Sequence, residues 1–303
     1  MKHSLTVGGD AAGKRVDLFV GEQLKLSRAK LKALFEAEKV RVAGRKAKKG
    51  LTVTEGQLVE VEVELDEDLS VVPEPASPLS VLHVDEQLIF VDKPARQPVH
   101  PLEAGERGTV ANALVARYPE CMQAGADVRE CGFCQRLDLE TSGVLLAARD
   151  RQSWEAMREQ ISEGEADKRY LALVTGPLAD DGEIDLRLEH AGDHVRPSLS
   201  EGREARSSFQ VAARSGEYSL VDVRIFTGVL HQVRAHLAAI GAPIVGDALY
   251  GGKVEPGLSR FWLHAATLTV KHPKSGKLLT VKAPLPEELQ AVLKAHGLEH
   301  GSR

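Results

Sequence analysis

The chain has 303 residues, 43% of them hydrophobic, and a formal net charge of −5, enough to bury one sizeable core and a second small one. No run approaches the roughly 18 apolar residues of a membrane helix, the start lacks the apolar core of a signal peptide, and three cysteines make no secreted-protein disulfide framework. A cytoplasmic setting, no membrane partner and a monomeric chain of two unequal domains are the expectation.

The net charge hides a segregation. Residues 1–50 carry thirteen Lys or Arg against five Asp or Glu, whereas residues 51–90 carry ten acidic residues and no Lys or Arg. A lobe that basic suits phosphate binding through counterion release, and it is also what a solvated charged face looks like. Over 14–24, Val16, Phe19, Val20 and Leu24 recur at helical spacing. Ser27 is placed to cap a second helix that carries Leu31, Leu34 and Phe35 and displays Arg28, Lys30 and Lys32. A short strand over 40–42 leads into the turn Ala43-Gly44-Arg45 and the basic cluster Lys46-Ala47-Lys48-Lys49. Over 58–65, Val59, Val61 and Val63 alternate with Glu60, Glu62 and Glu64, the period of a half-buried strand. Residues 1–65 thus make a small module suited to binding. Its layout and basic second helix resemble the RNA-binding domain named after ribosomal protein S4, which implies RNA contacts from Arg28, Lys30, Lys32, Arg45, Lys46, Lys48 and Lys49. Glu38 and Ala43 stand where that domain usually has Gly and Asn.

Residues 66–80 hold Pro73, Pro75 and Pro78 among polar residues and read as a linker to a second domain over 81–298. There, strand-like segments at 87–91, 143–148, 169–175, 218–226, 263–270 and 278–281 outnumber helical patterns at 110–117, 152–161, 231–240 and 286–295. Strands that follow one another without intervening helices predict an α+β fold with a mixed, largely antiparallel sheet and flanking helices.

The segment Gln135-Arg136-Leu137-Asp138-Leu139-Glu140-Thr141-Ser142-Gly143, ahead of the apolar Val144-Leu145-Leu146, puts a lone carboxylate at a turn. By itself Asp138 reads as a turn former. The segment is, however, the RLDxxTSG signature of RluA-type pseudouridine synthases, and the chain resembles that family in further blocks. These are Asp92-Lys93-Pro94, Val99-His100-Pro101, Gly108-Thr109-Val110, Lys168-Arg169-Tyr170, Thr227-Gly228-Val229-Leu230-His231-Gln232-Val233-Arg234, Gly246-Asp247, Leu249-Tyr250-Gly251 and Leu263-His264-Ala265.

The resemblance implies an enzyme that breaks the ribose-to-nitrogen bond of uridine in RNA, turns the uracil and rejoins it through carbon 5. Nothing is oxidised or consumed, so no cofactor or metal is called for. Asp138 is implied as the nucleophile, a carboxylate that forms and releases a covalent adduct on the uracil or on the sugar. Such a carboxylate must be ionised where water is excluded, so a cation is expected beside it. Arg234, on a predicted helix, is the candidate, through a bidentate pair. Tyr170 offers a face for the base and a hydroxyl, and Leu263 a wall. Arg136 would occupy the gap left by a flipped base, with Thr141 and His231 as further substrate contacts. Gln135 and Val229 stand where the family usually has His and Arg. Enzymes with such an N-terminal domain mostly act on large-subunit ribosomal RNA; transfer RNA, or a non-catalytic RNA-binding or ribosome-assembly role, are the alternatives. Cys131 and Cys134, on a predicted strand leading into the turn, read as buried thiols, and His231 and His236 fall on different helix faces rather than on a shared metal.

Overall fold

The alternation of valine and glutamate near residue 60 becomes a strand with one buried face, Val59 and Val61 being fully enclosed. The structure, a computed structural model, describes residues 2–24, 26, 28–63, 70–192 and 194–298, with backbone alone at 28 and 29. Two compact units divide the chain, Met1–Asp68 and Leu69–Arg303. Among the described residues no helix is long and apolar enough to cross a membrane.

The first unit contains β1 (Lys2–Thr6), α1 (Val16–Leu24), α2 (Arg28–Glu36), β2 (Val40–Val42), β3 (Arg45–Lys46) and β4 (Leu58–Glu62). Its antiparallel sheet runs β1-β4-β2-β3. Val16, Phe19 and Val20 of α1 meet Leu31 and Leu34 of α2 and the strand valines in one core. Ser27, expected to cap α2, and residues 64 and 65 of the expected strand lie outside the described residues. Glu38 and Ala43, the two departures noted above, both take left-handed backbone, with φ of 54° and 49°, which explains why Gly or Asn suits those positions.

In the second unit a nine-stranded sheet runs β5-β6-β7-β14-β8-β13-β12-β9, with β15 paired to β14. The strands are β5 (Ser80–Val84), β6 (Leu88–Lys93), β7 (Ser142–Ala148), β8 (Asp167–Thr175), β9 (Asp181–Asp185), β12 (Arg206–Ser215), β13 (Tyr218–Ile225), β14 (Leu263–Lys271) and β15 (Leu278–Lys282). A separate hairpin, β10 (Arg187–Ala191) and β11 (His194–Ser198), completes the set. β7 and β14 pair in parallel and the other neighbours antiparallel. The fold is therefore α+β on a mixed, largely antiparallel sheet.

The helices are α3 (Val110–Arg117), α4 (Arg151–Ser162), α5 (Gln232–Ala239) and α6 (Glu287–Ala295). β7 is buried along its whole length because Val144 and Leu146 face Trp154 and Met157 of α4, while Leu145 and Ala147 face Val110 and Leu114 of α3. Covered on both faces, it reads as a continuous apolar run. Gly143 has φ of 116°, and a β-carbon there would lie 2.2 Å from Ala265 O. Only glycine allows the parallel contact with β14.

Two local expectations change. Residues 131–137 form no strand beyond an isolated bridge from Phe133 to Ala147; Cys121, Cys131 and Cys134 are nevertheless buried and free. Residues 70–79 are no loose tether. Val71 is buried, Asn112 Nδ2 donates to Val72 O (2.8 Å), and Glu74 accepts from Gly108 N (2.8 Å).

Candidate active site

Asp138 opens the turn that enters β7, and each carbonyl of that turn has a donor. Thr141 N donates to Asp138 O (3.1 Å), Lys93 Nζ and Arg96 N to Leu139 O (3.0 and 2.7 Å), and Arg260 Nη1 to Glu140 O (2.8 Å). A turn tied at every carbonyl cannot drift, which is the preorganisation a reacting side chain needs. Lys93 is wholly buried and donates also to Pro94 O (2.9 Å). Burial, with the positive charge of Arg260 adding to it and the Asp138 charge opposing both, holds its ammonium far below the ordinary range, at about 7.

Arg234, on α5, is buried and reaches Asp138 through one hydrogen bond, Nη1 to Oδ2 at 3.2 Å. The bidentate pair expected with Asp138 is instead made with Asp247, Nε to Oδ2 at 2.7 Å and Nη2 to Oδ1 at 2.9 Å. The reason is geometric: Asp247 is 1% exposed and lies alongside the guanidinium, leaving one edge for Asp138. Burial disfavours the Arg234 charge, but the Asp247 and Asp138 carboxylates outweigh it and hold its pKa above the ordinary value. The guanidinium also sits over the rings of Phe261 (4.3 Å) and Tyr250 (5.1 Å).

His231 is not in the helix but caps it in left-handed conformation, φ 51°, with Nδ1 3.1 Å from the Tyr250 hydroxyl. His236 is buried against Ser207 Oγ and Leu186 O. Tyr170, on β8, is buried, and both its burial and the Asp138 charge push its phenol upward, so it stays protonated. Leu263 begins β14 opposite Ala172, two residues along β8 from Tyr170 and hence on the same face. The Thr141 hydroxyl is buried without a hydrogen-bond partner among the described residues, as is Gln135 Oε1. Arg136 is exposed, and Val229 packs in the cluster with Leu188 and Ala235. A cleft of about 330 Å³ lies beside the turn, walled by Glu140, Arg234, Asp247, Val254, Arg260 and Phe261; Asp138 and Tyr170 are not among its walls. Among the described residues no cluster of three or more His, Cys, Asp or Glu is placed to hold a metal ion.

Residues 87–239 match the family described as RNA pseudouridylate synthase. The chain belongs to that family. It is 34% identical over 305 residues to the ribosomal large subunit pseudouridine synthase D of Xanthomonas campestris, covering 95% of this chain and 91% of that protein. It is 38% identical over 285 residues to an uncharacterized RNA pseudouridine synthase of Chloroflexus aurantiacus, covering 93% and 89%. In structure it is similar to human RNA pseudouridylate synthase domain containing 4, with a TM-score of 0.59, 22% identity and coverage of 73% and 94%. That likeness concerns the fold alone. As a pseudouridine synthase the chain is an isomerase of RNA, and the turn at Asp138 lies within the matched segment.

Lys93, Asp247 and Arg260 escaped the sequence reading as site residues. The signal was weak but present: each is a charge set in or next to a run that folds as buried strand or close turn, as in Leu88-Ile89-Phe90-Val91-Asp92-Lys93. In the first unit Lys32 pairs with Glu36 at 3.7 Å and Lys46 with Glu38, while Arg45, Lys48 and Lys49 are exposed and Lys30 is partly so. The Arg28 side chain lies outside the described residues.

Proposed function

We propose that this pseudouridine synthase acts on large-subunit ribosomal RNA in the cytoplasm, with Asp138 as its nucleophile. The observation that carries the reading is the Asp138 carboxylate on a fully tethered turn, 22% exposed and bonded to the buried Arg234 guanidinium at 3.2 Å. The Asp138 carboxylate adds to the uridine, the ribose-to-nitrogen bond breaks and the base turns; as the bond through carbon 5 forms the adduct is released, carbon 5 gives up its proton and the freed ring nitrogen takes one up. Arg234, neutralised largely by Asp247, orients Asp138 with its remaining edge and supplies positive charge where the adduct develops. Tyr170 and Leu263 line the base pocket. Arg136 fills the stack that the extruded uridine leaves. His231, engaged with Tyr250, shapes the entry to α5.

The first unit, read as a domain of the type named after ribosomal protein S4, grips the RNA with the basic side chains of its first 50 residues, Lys30, Lys32, Arg45, Lys46, Lys48 and Lys49. Large-subunit ribosomal RNA is favoured by the Xanthomonas relative, which carries that substrate in its name and aligns over 95% of this chain, the first unit included.

Isomerisation of RNA tritiated at uracil carbon 5 releases the label. Asp138→Asn is expected to release none while binding RNA within about threefold of wild type, since size is kept and only the nucleophilic charge is lost. Full turnover in that variant would overturn the assignment. Mapping pseudouridines in cells lacking the protein tests the substrate: a lost site in transfer RNA alone would refute ribosomal RNA.

A further inference from the structure

Arg260 lies beyond the segment that matches the family and is 3% exposed. Its donors reach several elements at once. Nη1 donates to Glu140 O (2.8 Å) and Leu263 O (3.2 Å), Nη2 to Ser142 Oγ (3.0 Å), and Nε to Glu288 Oε1 (2.7 Å). Ser142 Oγ is itself 2.9 Å from His264 Nδ1. One guanidinium therefore holds the residues on either side of Thr141, where the Asp138 turn passes into β7, and ties them to the start of β14. Burial lowers the pKa of Arg260, and Glu288, in the first turn of α6, opposes the loss of charge most strongly, with Glu140 a lesser contributor.

α6 is fastened to the same stretch at two further points. Trp262 Nε1 donates to Leu289 O (3.1 Å). At the far end His296 Nε2 is 2.8 Å from Glu255 Oε1, while Tyr218 stacks on His296 and donates to Glu255 Oε2 at 2.9 Å. The C-terminal helix thus braces residues 255–262, the segment that delivers Arg260.

We infer that Arg260 is a positioning residue for the isomerisation, setting the turn that carries Asp138, and that Glu288 on α6 holds Arg260 to that task. The inference rests on the reading of Asp138 as the reacting carboxylate. Lys93 and Arg96 secure the turn at Leu139, and Arg260 secures its exit. Only a planar fork reaches Glu140 O, Ser142 Oγ and Glu288 together, which a lysine ammonium on its flexible stem cannot do.

The test is the single-turnover rate of tritium release, with full-length enzyme in saturating excess over labelled RNA. Under that excess a partly unfolded fraction leaves the rate unchanged, so a merely structural role shows only as a lower melting temperature. Misplacement by an ångström costs on the order of 100-fold; Arg260→Lys is accordingly expected to slow release about 30-fold and Glu288→Ala about 10-fold. Glu288→Gln, which keeps the acceptor for Nε, is expected within about threefold of wild type, and RNA affinity within about threefold for all three variants. Arg260→Lys retains charge and bulk, and so decides the matter even if Glu288→Ala does not fold. Rates within about twofold of wild type for Arg260→Lys, with Asp138→Asn inert in the same assay, would overturn the inference. An active Asp138→Asn would overturn the reading beneath it instead.

Discussion

At the scale of single residues the site is a chain of charges, Asp247 to Arg234 to Asp138, with Lys93 beneath the turn. Charge-assisted hydrogen bonds are worth about 1.5–3 kcal/mol, so removing the Asp247 charge should loosen Arg234 by that order. Asp247→Asn is expected to lower kcat about 10- to 100-fold with KM little changed; a wild-type kcat would show that Asp138 alone orients Arg234. Lys93 makes stability depend on pH. Its folded value of about 7 lies below the ordinary 10.5. Below pH 7 it is charged in both states and its burial costs stability. From pH 7 to 10.5 only the unfolded chain keeps the proton, so stability rises with pH through that window. Relative to Lys93→Met, the wild type should gain about 2 kcal/mol between pH 7 and 9 in urea unfolding. Parallel curves would mean that the ammonium keeps its ordinary acidity.

Elements repeat the lesson with backbone in place of charge. The turn between β2 and β3 places Ala43 and Gly44 at φ of 49° and 77°, the pair of left-handed residues of a two-residue hairpin for which Asn-Gly is best suited. Ala43→Asn should therefore raise the stability of the first unit by about 0.5–1 kcal/mol in a thermal or urea melt. No gain would mean that the turn relaxes at no cost. Of the strands found by pattern, β2, β4, β6, β7, β8, β13 and β14 bury their side chains in alternation or in a continuous run, whereas β15 buries Val281 alone. β1, β3, β5, β9, β10, β11 and β12 escaped it. β12 carries Arg206, Gln210 and Arg214 on outward positions and bulges between Val211 and Ala213, and β1 is a five-residue edge strand with no fully buried side chain. Such strands are held by ladder hydrogen bonds to a better-buried neighbour, which leave little trace in composition.

On the scale of the whole molecule there are two units with separate cores, one holding the basic stretch of residues 1–50 and one carrying the Asp138 turn. If the first unit grips phosphates, replacing Arg45, Lys48 and Lys49 with Gln in the full chain should weaken RNA binding and reduce the salt slope of log K by about two to three. The single-turnover rate at saturating enzyme should not change. An unaltered slope would remove this cluster from the RNA interface.

The sequence by itself determined the fold class, the family and the segment that carries Asp138, because hydrophobic period and a motif such as Gln135 to Gly143 are local properties that the chain carries along its length. It also placed Asp138, Tyr170, Arg234 and Leu263 as candidates for one site. Only the tertiary structure decided who partners whom. Arg234 reaches Asp138 across 96 positions, Arg260 reaches Glu140 across 120, and Lys93 reaches Leu139 across 46. Contacts of that separation are set by the pairing of β7 with β14 and by which face of α5 is buried, and a side chain's charge says nothing about which distant carbonyl or carboxylate the sheet will bring to it.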